Sequence, residues 1–177
     1  MMSSLKRISK PEEGEYSAYA IMYIKLLPDD GRVLEYLKEN FKKTKDFAVS
    51  LPEEKLSYRY ADGKWTVKEI LMHLIDVERI FGYRALRFAR NDKTPLAGFE
   101  QDDYTPHSGA LSRDLVSIFE EFESVRNATI TLFNGFDEET FIRSGLANEH
   151  NVSVRALAYQ IAGHELHHVS IIKERYL

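Results

Sequence analysis

Apolar residues recur at spacings of three and four in four long stretches of the sequence. The stretches begin near Val33, Ile70, Leu115 and Val154. Because an α-helix turns roughly every 3.6 residues, this spacing gathers the apolar side chains on one helix face. Stretches that alternate apolar and polar residues, as half-buried strands do, are absent, and 9 glycines and 5 prolines leave few interruptions. We predict an all-α protein built as a four-helix bundle.

Capping residues predict where these helices begin and end. Thr66 to Glu69 match a capping box, in which a threonine hydroxyl and a glutamate satisfy free backbone amides at a helix start. Ser112 and Ser153 are the predicted N-caps of the third and fourth helices. Pro52 ends the first helix, and Asn134–Gly135 ends the third. The four helices therefore have predicted ends as well as predicted faces.

The remaining sequence forms an N-terminal segment and connections. Residues 1–28 are predicted to form an N-terminal arm or extension with a tyrosine-rich patch at 16–23, and residues 29–177 to form the four-helix-bundle domain. Residues 99–109 lack periodicity and are long for a bundle connection, which is typical of segments that border a functional site. We expect the tyrosine-rich patch and residues 99–109 to contribute to a pocket.

Charge and composition exclude several classes of function. The net charge of -4 and a pI near 5.9 argue against the dense cationic patch that nucleic acids and anionic membranes require. No apolar stretch approaches the roughly 18 residues that span a bilayer. The chain has no cysteine, which excludes disulfides, thiolate metal sites and a cysteine nucleophile. We predict a cytoplasmic protein that binds neither nucleic acid nor membrane.

Histidines supply the most specific chemical signal in the sequence. His164 and His168 are four residues apart and lie on one helix face, where two imidazoles can share one divalent metal ion. A third ligand must come from another helix, and His73 lies on the flank of the second helix's apolar face. Three neutral imidazoles with one open position are typical of a catalytic site. We predict that His73, His164 and His168 hold Zn²⁺ or Ni²⁺, with water or a substrate thiol at the open position.

The same segment also matches the H-E-x-x-H signature of zinc proteases, in which the glutamate is a general base. Glu165, however, projects toward the apolar stripe of its helix. An arginine from a neighbouring helix is the expected partner of a carboxylate in that position. We therefore discount the protease.

Four residues near the predicted site have alternative roles. Asp76 and Glu69 each lie one turn from His73 and are candidates to orient its ring, although a solvated position near the helix N-terminus is favoured for Glu69. Arg84 lies near the same flank and is a candidate to bind a substrate anion. Trp65 precedes the capping box and is interpreted as a hydrophobic staple or as a plug at the bundle end.

Two segments resemble the DinB/YfiT-like superfamily. Residues 63–79 (GKWTVKEILMHLIDVER) resemble its second-helix signature, and residues 161–168 (IAGHELHH) resemble its last-helix signature. The resemblance implies a four-helix bundle that forms a homodimer. It also implies a divalent metal held by a histidine triad, which maps onto His73, His164 and His168. Members resemble either metal-dependent hydrolases or transferases and isomerases that use a low-molecular-weight thiol.

Three functions remain open at this point. The first, which we favour, is a metal-dependent enzyme, either a small-thiol S-transferase or a hydrolase, that acts on a small-molecule substrate. The second is a non-catalytic metal-binding bundle whose site is closed by a fourth protein ligand, with His167, His107 or Glu165 as the available donors. The third is a dimerisation bundle without metal, whose melting temperature chelation would leave unchanged.

Overall fold

The computed structural model describes residues 4–177, so the first three residues of the predicted arm lie outside the described residues. Four long helices form the fold: α1 (Val33–Val49), α2 (Val67–Ala89), α3 (Leu115–Asn134) and α4 (Val154–Arg175). Helices α1 and α2 each pack against both α3 and α4. The predicted four-helix bundle is confirmed. None of the helices in residues 4–177 is long and apolar enough to cross a bilayer.

Short elements connect the long helices. They are single-turn α-helices at Ile21–Ile24, Glu53–Leu56, Gln101–Tyr104 and Glu138–Phe141, 3₁₀ turns at Ala18–Ala20, Thr105–His107 and Ala110–Ser112, and strands β1 (Ser144–Ala147) and β2 (His150–Ser153). The two strands form an antiparallel hairpin, so the prediction that strands are absent is wrong there. Asn148 and Glu149 have positive φ angles of 50° and 65°, which close a two-residue turn between the strands.

Side-chain capping fixes the start of two long helices as predicted. At α2, the Thr66 hydroxyl accepts a hydrogen bond from the Glu69 amide, and the Glu69 carboxylate accepts one from the Thr66 amide. At α4, the Ser153 hydroxyl accepts a hydrogen bond from the Ala156 amide at 3.1 Å. Both starts are predictable from local sequence, because each capping hydrogen bond joins residues within the first turn of its own helix.

The predicted cap of α3 is wrong. The Ser112 hydroxyl donates to the Gly109 carbonyl oxygen at 2.8 Å within a 3₁₀ turn, which leaves it unavailable at the helix start. Arg113 is extended, so α3 begins later in the chain. Asp114 is the cap, and its carboxylate accepts a hydrogen bond from the Ser117 amide at 2.8 Å.

Buried polar side chains separate two apolar clusters in the core. One cluster lies at the start of α1 and α4 and the end of α2 and α3, and the other lies at the opposite end of the bundle. The polar layer where they meet consists of Asn40, Thr44, His73, Glu78, Arg126, Thr129, His164 and Glu165. Burying such groups costs free energy unless they are paired. The polar layer must therefore satisfy most of its hydrogen bonds and charges internally.

The N-terminal segment packs against the bundle and contributes apolar side chains to its core. The Ile8 amide donates to the Gly31 carbonyl oxygen at 2.9 Å, and the Tyr159 hydroxyl donates to the Ile8 carbonyl oxygen at 2.9 Å. The Ser153 amide donates to the Glu15 carbonyl oxygen at 3.0 Å. The domain boundary after residue 28 stays a prediction. In the structure, apolar side chains of this segment form part of the bundle core.

We predict that the charge of Glu15 stabilises the docking of this segment on α4. Burial raises the pKa of Glu15, but hydrogen bonds from Arg155 and Ser153 outweigh burial and hold that pKa below its ordinary value. The substitution Glu15→Gln should lower the free energy of unfolding by about 1 kcal/mol near neutral pH, a modest effect because the carboxylate is partly exposed.

A lowered pKa in the folded state stabilises the fold above the unfolded-state pKa, and this contribution is lost as the pH falls through the folded-state pKa. Urea unfolding at about pH 7 and about pH 3 should therefore show the Glu15→Gln deficit at the higher pH only. Glu12→Gln is the control, because that carboxylate is exposed and lies 3.6 Å from Arg155. A deficit that is equal at both pH values contradicts the role of the charge.

Candidate metal centre

The structure brings His73 of α2 together with His164 and His168 of α4. The Nε2 atom of His164 lies 3.0 Å from the Nε2 atoms of both other histidines. One ring nitrogen from each residue lies within 4.8 Å of those of the other two residues, and His73 and His164 are buried. Helix phasing predicts this juxtaposition, since His164 and His168 share a face of α4 and α2 packs against that helix.

Gly163 allows the N-terminal segment to reach this cluster. A Cβ atom at position 163 would lie 2.2 Å from the carbonyl oxygen of Tyr23, which is closer than real atoms approach. The missing side chain therefore lets the single-turn helix Ile21–Ile24 lie directly on α4. The Tyr23 ring packs edge-on against the His164 ring, with their centroids 5.2 Å apart.

Burial keeps the three imidazoles neutral. It lowers the pKa of His73 to about 4. It also lowers the pKa of His168 to about 3, with a smaller contribution from the neighbouring histidines. Burial lowers the pKa of His164 well below its ordinary value. At neutral pH each ring therefore has a free nitrogen lone pair, which is the form that binds a metal ion.

The spacing of the ring nitrogens fits a shared metal ion. Two nitrogens held about 2.0–2.1 Å from one tetrahedral ion lie about 3.3 Å apart. The separations of 3.0 Å from the His164 Nε2 atom to its two neighbours are close to that value. Imidazole nitrogens are ligands that Zn²⁺ and Ni²⁺ both accept. The donor set and its spacing therefore fit a divalent ion.

Within residues 4–177, no fourth histidine or carboxylate joins this group of ligand atoms. The His167 ring packs against the Tyr23 ring, with centroids 5.4 Å apart. His107 is exposed in its 3₁₀ turn, and Glu165 is paired elsewhere. None of the three donors considered for a closed, structural site therefore completes it in the described part of the chain.

Glu165 is held by partners inside the polar layer. Its carboxylate accepts a hydrogen bond from the Thr44 hydroxyl at 2.7 Å and lies 2.9 Å from the Arg126 guanidinium of α3. Arg126 also binds Glu78 of α2 at 2.8 Å. Burial would lower the pKa of Arg126, but the two carboxylates raise it. The predicted arginine partner is confirmed, and Glu165 is not free to act as the base of an H-E-x-x-H protease.

Of the other residues predicted to lie near the site, one contacts the histidine cluster and two do not make the predicted hydrogen bond to His73. Glu69 completes the capping box and lies 2.8 Å from Arg59, so it does not orient the His73 ring. Asp76 makes no hydrogen bond to His73 in the described part of the chain, and burial raises its pKa. Trp65, interpreted as a plug, packs against the His73 ring with centroids 4.7 Å apart. The tryptophan therefore forms a wall of the cluster.

A cavity of about 310 Å³ adjoins the cluster, and His164 forms part of its wall. Arg84 of α2 and Gln160 of α4 also line it. As expected, the tyrosine-rich patch and residues 99–109 contribute, through Tyr19 and Tyr23 and through residues 99–101. A second cavity of about 290 Å³ lies beside His168 and Trp65. The histidine cluster therefore borders two cavities.

Sequence reasoning missed Tyr23 and Gln160 as individual site residues. Gln160 lies four residues before His164, so helical spacing was a signal that could have placed it on the same face. Tyr23 has no comparable signal, because its approach depends on the close contact between its own backbone and Gly163.

We predict that Arg126→Met lowers the free energy of unfolding by about 3–5 kcal/mol, because it leaves two buried carboxylates without their counter-ion. The control is Arg79→Met, which removes an exposed arginine paired with Glu121 and should cost no more than about 1 kcal/mol. Urea unfolding followed by circular dichroism measures both values. Equal losses of unfolding free energy in the two variants would show that the pairing of Arg126 with Glu78 and Glu165 contributes no more than a surface ion pair.

Comparisons with known proteins agree with this architecture. The sequence model of the DinB superfamily matches residues 36–172. A protein of Oceanobacillus iheyensis named "Putative metal-dependent hydrolase OB0413" is 26% identical over 126 residues, which cover 70% of this chain and 72% of that protein.

A solved structure has the same fold. YfiT from Bacillus subtilis, described as a probable metal-dependent hydrolase with an unusual four-helix bundle topology, matches with a TM-score of 0.76. The match covers 93% of this chain and 90% of that chain at 18% identity. The family match spans more than half of the sequence and includes all three histidines. The chain therefore belongs to the DinB superfamily.

Proposed function

We propose that this chain is a metal-dependent hydrolase of small substrates and that His73, His164 and His168 hold its divalent ion. The observation that carries the proposal is that the Nε2 atoms of three neutral imidazoles, from α2 and α4, lie close together beside a cavity. A divalent ion held by three imidazoles keeps an open position and acts as a Lewis acid that activates water or a thiol. Zn²⁺ and Ni²⁺ are the ions we expect.

The described functions of two similar proteins support this choice. The Oceanobacillus protein is named a "Putative metal-dependent hydrolase", and YfiT is described as "a probable metal-dependent hydrolase". Those names concern the relatives themselves. For this chain they favour hydrolysis over thiol transfer, because both relatives are named as hydrolases and neither as a transferase.

The chain's own residues hold the ligands and shape the space beside them. Trp65 packs against the His73 ring, and Tyr23 packs against the His164 ring. Aromatic residues that lie outside α2 and α4 therefore help to hold both imidazoles in place. Apolar side chains such as Phe81 line the cavity beside His164 together with polar ones such as Gln160. A substrate bound there lies next to the histidine cluster, where the reacting group must be placed.

Metal content tests the ligand assignment. Wild-type protein should contain about one equivalent of divalent metal, and His168→Ala should lose it because only two ring nitrogens remain. His167→Ala is the matched control, since that ring lies one residue away and outside the ligand group. Elemental mass spectrometry of tag-free protein measures each. Metal retained in His168→Ala would contradict the assignment of His168 as a ligand. No metal in wild type after incubation with Zn²⁺ or Ni²⁺ would contradict metal binding by this chain.

Turnover tests the reaction class. We expect metal-loaded protein to hydrolyse small esters or amides without added thiol, and to lose this activity on chelation and in His73→Ala, because each removes the Lewis acid. Asp76→Asn is a control, because its carboxylate lies outside the ligand group and makes no hydrogen bond to His73 among the described residues. Conjugation of a small thiol to an electrophile, with no hydrolysis, would replace the hydrolase by a thiol S-transferase. Neither reaction in the presence of bound metal would favour a non-catalytic metal-binding bundle.

A further inference from the structure

Arg84 is a buried cation without a carboxylate partner. It is 8% exposed and lies in the wall of the cavity beside His164. Its guanidinium donates one hydrogen bond, to the Ala97 carbonyl oxygen at 3.1 Å, and lies over the rings of Phe81 and Phe99 at 5.6 and 5.8 Å. Among residues 4–177, no carboxylate oxygen lies within 4.0 Å of it.

The other buried arginines of this protein show what Arg84 lacks. Arg126 pairs with two buried carboxylates, and Arg155 pairs with Glu15. Buried arginines are rare unless they are paired, because removing a charge from water is costly. Burial accordingly lowers the pKa of Arg84, with no carboxylate to oppose it. An anion arriving in the cavity would supply the missing partner.

Gln160 adds a second unused donor to the same cavity. It is 8% exposed, and its buried amide nitrogen has no hydrogen-bond partner among the described residues. The other ionisable groups lining the cavity besides the tyrosines and His164 are Glu100 and His150, and both are exposed. The buried polar surface beside His164 therefore offers hydrogen-bond donors from Arg84 and Gln160. The ligand that matches such a surface is an acceptor-only group.

We propose that Arg84 and Gln160 bind a carboxylate of the substrate, so that the substrate is a small ester or amide with a free carboxylate group. A carboxylate accepts two hydrogen bonds in the plane that a guanidinium presents. The assignment of the reaction rests on the proposed function: one water is consumed, the acyl C–O or C–N bond breaks, and an acid and an alcohol or amine are released. The carboxylate site itself rests on the cavity alone.

Binding of a matched probe pair tests the site. Phenylacetate and phenylacetamide have nearly the same shape, and only the first is charged. By isothermal titration calorimetry at neutral pH, the wild-type protein should bind phenylacetate about tenfold more tightly or better. Arg84→Met should abolish the preference and Gln160→Met should reduce it. Arg87→Met should keep it, because Arg87 pairs with Asp92 outside the cavity.

Two further measurements make the outcome decisive. The preference should persist in metal-stripped protein, since neither Arg84 nor Gln160 belongs to the ligand group. A preference that requires the metal and is unchanged by Arg84→Met would mean that the ion binds the carboxylate, and it would overturn the proposal. Arg84→Met should lower the melting temperature far less than Arg126→Met does, because it leaves no buried carboxylate without a counter-ion. A fall as large as that of Arg126→Met would make Arg84 structural instead.

Failure of this site and failure of the proposed function give different results. Equal binding of the two probes, or no binding of phenylacetate at millimolar concentration, overturns the carboxylate site even if neutral esters are hydrolysed. Conversely, a preference for phenylacetate that depends on Arg84, in a protein without hydrolytic activity, would support the carboxylate site and contradict the proposed hydrolase function.

Discussion

One guanidinium group connects all four long helices. Arg126 of α3 pairs with Glu78 of α2 and Glu165 of α4, and it donates to the carbonyl oxygen of Leu37 in α1. Each carboxylate would be costly to bury alone, so the contacts stabilise the fold only as a complete set. Neighbouring apolar side chains can pack in several ways, whereas this set has one arrangement. We infer that it fixes how the helices are rotated against one another.

The rotation of α4 decides where its histidines point. Glu165 is directed toward Arg126 and Thr44, and the preceding residue, His164, is thereby directed toward His73. The H-E-x-x-H pattern therefore combines two separate roles on one helix, an ion pair that orders the bundle and two imidazoles that converge on a third. Burial keeps those imidazoles neutral, so the same packing that orders the core also prepares them for the metal-binding role that we propose.

Helical periodicity and capping predict most of this architecture from sequence. They give the four helices and the caps at Thr66 and Ser153, because each depends on spacing within one helix. The approach of His73 to the histidine pair also requires α2 to pack against α4, which follows from the apolar faces of the two helices. The hairpin is missed because its turn uses positive φ at Asn148 and Glu149 rather than glycine. Contacts between distant segments, such as that of Tyr23 with α4, leave no periodic trace in the sequence.

X-ray absorption spectroscopy of the Zn²⁺-loaded protein tests the central claim most directly, because it counts the imidazoles around the ion. We expect three imidazole nitrogens at about 2.0–2.1 Å and one further ligand that exchanges when a small thiol is added. The same spectrum in His167→Ala should be unchanged, since that ring lies outside the ligand group. Fewer than three imidazoles, or a fourth side chain that closes the site against the thiol, would contradict an open site formed by His73, His164 and His168.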